Sequence, residues 1–297
     1  MGLNPASFQI PNDTFSNPRS SDAVRAFKAS IKPQNLRLSA DGVRVKLSCS
    51  LREATLQLPH FGPVLCLTRN DAALLSHLNQ YPPMTCSREL ARILDPHGNL
   101  SFRLNPGVEI NAVRESVAGV NTMGLELRNS SGCNIHRCCL TRDSDWNEFL
   151  RFVRHNQSNN VDEDTSPARR LMEDAAATHS WMDGLIVRKR ELLNGTPEMA
   201  KRIDASDLLE GIESCLQQRR NTSVTVFDWD VVQSQRFVPT RFEVRDNGHH
   251  LSNEHTHWQF NPQKIAELWR VRITIDGDPV QAIEAYDCHD QILFSFV

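Results

Sequence analysis

NLSFRLNPGVEINAVRE at residues 99–115 lays over HTHWQFNPQKIAELWRV at residues 255–271. Asn105-Pro106 meets Asn261-Pro262, Phe102 meets Trp258, and Leu104 meets Phe260. Further along, Leu125-Glu126 meets Ile283-Glu284; upstream, VLCLTRN at 64–70 meets VTVFDWD at 224–230. Three matches in the same order predict two copies of one sheet-forming unit. Each sheet must then cover an apolar face with helices or with another sheet. A tandem pair often leaves a cleft between copies, where ligands bind.

Working outward, residues 99–105 alternate Leu100, Phe102 and Leu104 with Ser101, Arg103 and Asn105, and Asn105-Pro106-Gly107 closes the strand. The alternation predicts further strands at 43–47, 64–67, 108–118, 123–128 and 134–140, with Ser131-Gly132 as a hairpin turn. Residues 71–81 read as a helix, or as a loop that begins helical. Asp143 is placed to cap a helix over 144–153, with Trp146, Phe149, Leu150 and Val153 on one stripe. Another short helix is expected at 21–32, capped by Asp22.

The nearly wholly polar run HNQSNNVDEDTSPA marks a linker at 155–168. Helices are expected beyond it at 169–177, 180–193 and 204–220. Strands then return at 222–229, 236–246, 255–260, 267–275, 280–287 and 291–296. The expected organisation is a tail at 1–20, a first repeat domain at 21–154, the linker, and a second repeat domain at 169–297. The fold class is α+β: a tandem duplication of a curved, mostly antiparallel sheet unit with helices.

Composition excludes several classes. Hydrophobic residues make up 39% of the 297 and charged residues 23%, as in a globular protein with a core. The formal charge of -3, without a basic stripe, gives no source of attraction to nucleic acid. The 8 cysteines form no CxxC motif, and most read as small buried thiols. The N-terminal stretch has no basic region leading into an apolar run, and no long apolar run occurs anywhere. No secretory signal and no membrane span are expected, which favours the cytoplasm.

Several segments together resemble the bacterial haem-utilisation family of cytoplasmic haemin-degrading and haem-trafficking proteins. They are VLCLTRNDAALLSHLNQY at 64–81, residues 99–115, GLELRNSSGCNIHRCCLTRDSDWNEFLRFV at 124–153, and residues 263–292. The resemblance implies haem bound in a cleft, with a histidine on the iron and an arginine opposite. The implied histidine position falls at Trp181, with His179 two residues earlier. On a helix those two side chains point about 200° apart. The implied arginine position falls at Ser101, and Arg103 shares its strand face. The resemblance also implies a haem transporter or haem oxygenase as partner, and it allows a homodimer. Whether the chain is an enzyme is left open. The second reading is a non-catalytic member of the fold, a binding or scaffold protein, because Trp and Ser stand where His and Arg are expected.

The candidate residues follow from what a porphyrin needs. His179 is a candidate iron ligand, as is the pair His255 and His257 in a region that also holds His249 and His250. Arg69 and Arg103 are candidates to fork onto propionates. Trp181, Trp229 and Trp258 are candidates for a flat pocket wall or for the core. Asp228 and Asp230 read as a solvated strand face or a cation site. No nucleophile elbow, phosphate-binding glycine loop or HExxH occurs.

Overall fold

A computed structural model describes residues 37–39, 42–95, 98–104, 106–117, 120–157, 199–245, 248–275 and 278–297. The tail, the helix at 21–32, most of the linker and the helices at 169–177 and 180–193 lie outside the described residues. The chain divides into two compact units. The first takes the described residues of Met1–Cys66, Leu78–Met84 and Asn105–Thr165; the second takes those of Leu67–His77, Thr85–Leu104 and Ser166–Val297.

In the first unit, strands β1 (Arg37–Ser39), β2 (Gly42–Lys46), β8 (Glu109–Val117), β9 (Val120–Arg128), β10 (Asn134–Leu140) and the part of β3 (Pro63–Arg69) up to Cys66 lie in that order. The pairings from β1 through β10 are antiparallel. Alternation puts Val45, Ala112, Leu125 and Cys138 in one buried row and Lys46, Asn111, Glu126 and Arg137 in the adjacent row on the other face. Helices α1 (Leu51–Gln57) and α2 (Trp146–His155) supply Leu51, Ala54, Phe149 and Val153 to the buried set. Phe61 meets Phe149 edge-on at 5.5 Å and Phe152 at 5.8 Å, anchoring α2 to the turn after α1.

The second unit has two layers. One is β4 (Ala73–Gln80), β16 (Thr256–Phe260), β15 (Gly248–Ser252) and β14 (Arg241–Arg245), in that order. The other has nine described strands: β11 (Ala200–Ile203), β17 (Glu267–Ile275), β18 (Asp278–Tyr286), β19 (Ile292–Phe296), β12 (Thr222–Phe227), β13 (Val231–Phe237), β7 (Gly98–Arg103), β6 (Leu90–Asp95) and β5 (Thr85–Cys86). Helix α3 (Ala205–Gln217) adds Leu208, Ile212 and Cys215 to the shared core of Leu75, Trp258, Phe260, Phe294 and Phe296.

The duplication is visible as element order: β3, β4, β7, β8, β9 and β10 recur as β12, β13, β16, β17, β18 and β19. The copies exchange strands reciprocally. β7 from the first copy pairs with β13, and β16 from the second copy pairs with β4. Each pairing joins segments far apart in sequence, so neither copy completes its sheet alone.

Four local expectations are corrected. Residues 73–80 form a strand, not a helix, because β16 supplies a non-local partner from Thr256↔His77 to Phe260↔Ala73. Helix α2 starts at Trp146 and is capped by Asp145, whose side chain accepts from the Glu148 N–H; Asp143 is not the cap. The expected strand at 236–246 is two strands, β13 and β14, parted around Pro239, which has no N–H for a ladder. The segment around His249, read as a polar hairpin loop, is the paired strand β15.

Candidate functional site

The candidate site is built on the face of the nine-stranded layer that turns away from the Trp258 core. Pairing register puts Trp269, Glu284, Ser295, Thr225, Ser234 and Asn99 in one row across β17, β18, β19, β12, β13 and β7. Ser101 and Arg103 lie two and four residues past Asn99 on β7 and share its face. Ser101 is also paired with Arg92 of β6. The structure therefore puts Ser101 and Arg103 on one side of one sheet, as the alternation predicts.

This face is mixed in character. Ala200, Val271 and Ala282 form a small apolar cluster with Trp269, Ile273 and Val297 packed against it. Glu284 is buried and accepts a 2.7 Å hydrogen bond from the Tyr286 hydroxyl. Thr225 and Ser234 share a 2.8 Å hydroxyl contact, and the Trp269 indole N–H donates to Glu267 at 3.0 Å. The apolar cluster sits on β11, β17 and β18, the paired hydroxyls on β12 and β13, and Arg103 on β7, so apolar and polar groups are spread along this one face. None of the nine described strands carries a histidine, so these strands offer carboxylate-gripping arginines but no imidazole donor.

The remaining candidates are dispersed. His179 and Trp181 lie outside the described residues. Arg69 is exposed at the end of β3. Trp258 is fully buried between Phe260, Phe294 and Phe296, so it belongs to the core. Trp229 is half-buried and donates to Gln291 at 3.0 Å.

His255 is exposed in the turn before β16, whereas His257 is buried within the strand. The ring that meets His257 is His250 of β15, with Nδ1 and Nε2 3.1 Å apart. Burial, with His250 and Arg245 adding to it, pushes His257 down to about 4. Among the described residues no group of three or more His, Cys, Asp or Glu side chains is placed to hold a metal ion.

Two buried polar arrangements are not apparent from the sequence. In the first unit, Glu126 is fully buried and receives Arg44 Nε at 3.0 Å, Arg128 Nε at 2.5 Å, the Arg137 guanidinium, and Asn134 Nδ2 at 3.2 Å. Burial raises its pKa, but the bonds and charges of Arg128 and Arg137 outweigh this and hold it below the usual carboxylate value. Glu126 and its repeat partner Glu284 are thus both buried, one satisfied by cations and the other by a tyrosine. Also in the first unit, Tyr81 and His136 Nε2 lie 2.9 Å apart, and burial pushes His136 down to about 3, so its imidazole is neutral at pH 7.

The Asp228–Asp230 pair lies in the turn between β12 and β13. Asp230 is buried, contrary to the solvated face expected. Asp228 Oδ1 accepts from the Asp230 N–H at 3.1 Å. Burial above all, then the charges of Asp230 and Asp71, push Asp228 up to about 7 despite the opposing backbone bonds. The folded protein therefore keeps a proton that the unfolded chain releases near pH 4. Its stabilising contribution is complete below that pH and is lost as pH rises towards 7. Asp228→Asn is expected to gain about 2–4 kcal/mol over the parent at pH 8 and little at pH 4. Urea unfolding at both pH values checks this; equal gains at both would contradict it.

The fold and this face define a class: a duplicated antiparallel α+β protein with a two-faced sheet in its second unit. Residues 32–155 match the haemin-degrading HemS.ChuX domain family. No curated protein matches the chain. Among solved structures, holo-PhuS, a heme-binding protein from Pseudomonas aeruginosa, superposes with a TM-score of 0.71 at 21% identity, covering 94% of this chain and 91% of that chain. ChuS, an E. coli heme oxygenase, superposes with a TM-score of 0.73 at 16% identity, covering 92% of this chain and 85% of that chain. Residues 32–155 are thus similar to the haemin-degrading domain family, and the chain as a whole shares the duplicated fold of PhuS and ChuS.

Proposed function

We propose that this protein binds haem for iron acquisition and passes it on or opens the ring. The observation that carries the reading is the match of residues 32–155 to the haemin-degrading domain. Haem is cargo or substrate here, and any oxygen chemistry would be supplied by its iron. On this reading the porphyrin lies on the outer face of the nine-stranded layer. Arg103 grips a propionate, Arg69 serves a second carboxylate, and Ser101 sits opposite the iron. His179 is the proposed iron donor, next to Trp181 as part of the ring's wall. The pair His255 and His257 is a second metal proposal, with His257 buried beside His250 and His255 exposed in the preceding turn. A transporter or haem oxygenase is the proposed exchange partner, in the cytoplasm. Among the described residues no helix is long and apolar enough to cross a membrane.

Adding ascorbate to the haemin-loaded chain tests carrier against enzyme. Biliverdin-like absorbance marks ring opening, whereas a stable ferrous spectrum marks a carrier. Arg103→Ala is expected to weaken haemin about 5–20-fold, the loss of one charge-assisted bond at a partly wet site. Unchanged affinity would remove Arg103 from the site. The non-catalytic reading rests on Ser101 and Trp181. It predicts that Trp181→His creates or strengthens an iron–imidazole spectrum.

A further inference from the structure

We propose that the second unit has a separate site for a small, neutral, planar aromatic molecule with one hydrogen-bonding group, of the indole or phenol class. The site is a cavity of about 210 Å³ beside the start of α3, lined by Leu208, Leu209, His249, Phe260, Ile265 and Leu268. An apolar cavity of about 150 Å³ is enough to admit benzene, so this one has room for a fused two-ring system. Its wall is already aromatic. The His249 ring is stacked on Phe260 at 5.0 Å and 13°, and on Phe242 at 5.9 Å and 26°.

His249 supplies the polar contact. Its Nδ1 is shielded from solvent and meets no hydrogen-bond partner among the described residues. Buried polar atoms are nearly always satisfied, so an unsatisfied one on a cavity wall points to a missing ligand or water. Burial lowers the His249 pKa, which keeps the ring neutral and able to exchange one hydrogen bond with a neutral guest. The charges at the rim are largely answered: Arg202 faces Glu267 at 3.8 Å, and Glu267 also accepts from Trp269. The remaining rim carboxylate, Asp204, is the N-cap of α3, so an anionic guest would meet two carboxylates, and a neutral guest suits the apolar wall. The cavity opens on the core side of β15 and β16. The cavity meets the nine-stranded layer at β11 and β17, whereas Ser101 and Arg103 lie on β7 of that layer and on its outer face, so the two sites are separate.

Calorimetric titration of the full chain with indole at pH 7.5 tests this. The expected result is saturable one-to-one binding. His249→Phe, which keeps the stack and removes the nitrogen, should weaken indole about 5–10-fold. It should leave toluene, which lacks a hydrogen-bonding group, unchanged. Ile265→Trp, at a half-buried position on the wall, should abolish both. No saturable binding up to the solubility limit of indole would overturn the proposal, as would wild-type affinity in both variants. The parent protein gives a check that needs no variant: the His249 ring ¹⁵N signals should shift on adding indole, and unmoved signals would also overturn it.

Discussion

Glu126→Ala is expected to cost about 3–5 kcal/mol of folding stability, with unfolding at lower urea and an unchanged slope. The carboxylate sits fully buried in the sheet of the first unit and receives three arginines. Removing it leaves three guanidinium groups facing one another with their common partner gone, and breaking a shielded ion pair from one side is far costlier than never having made it. The arginine side chains keep 16–28% exposure, so water recovers part of the loss and the lower half of the range is favoured. Glu126→Gln separates charge from shape. It retains an acceptor but not the charge, and should lose most of the same energy. A cost below about 1 kcal/mol for both would mean that the guanidinium groups are solvated without their partner.

Trp258→Ala is the second large effect, about 3–5 kcal/mol from lost burial and the cavity left behind. The ring is stacked on Phe260 at 4.6 Å, meets Phe294 edge-on at 5.0 Å and lies parallel to Phe296 at 5.7 Å. Among the described residues its indole N–H has no hydrogen-bond partner. Trp258→Phe therefore removes an unsatisfied donor together with some volume, and should cost about 1–2 kcal/mol less than Trp258→Ala. Thermal unfolding of both variants measures this. If Trp258 lined a porphyrin pocket instead, both variants would keep their stability and lose haemin affinity.

The elements that were legible in the sequence are those whose two faces differ. Val43 to Leu47 and Leu100 to Leu104 alternate because one side of each strand is dry, and the repeat followed from matching such strands in order. Residues 73–80 misled because Ala72, Ala73, Leu74 and Leu75 are good helix formers. Their strand state is imposed by β16, a partner far away in sequence that no local window contains. Helix α1 was missed because it has only 7 residues, although its start was marked: Ser50 and Glu53 form a reciprocal capping box. β15 looked like a loop because of Asn247-Gly248 and its histidines. Within it, His249 and Leu251 face the core side and His250 the other, a two-residue period hidden by polar side chains.

The candidate site was legible where it rests on strand parity. Ser101 and Arg103 share a face because they are two apart on β7. The histidine cluster was legible as a cluster but not as a geometry. The residue that meets His257 lies across the β15–β16 hairpin, and strand pairing rather than chain spacing decides such neighbours. The Glu126 cage was unreadable for the same reason: its cations come from β2, β9 and β10, and only antiparallel register brings Arg44, Arg128 and Arg137 to one carboxylate.

The most direct test of the haem reading is titration of haemin into the purified full chain, followed at the Soret band. The account predicts a shifted band that saturates at one haemin per chain in the micromolar range. A featureless, non-saturating rise identical to haemin added to buffer would contradict it, and the duplicated fold would then serve another purpose.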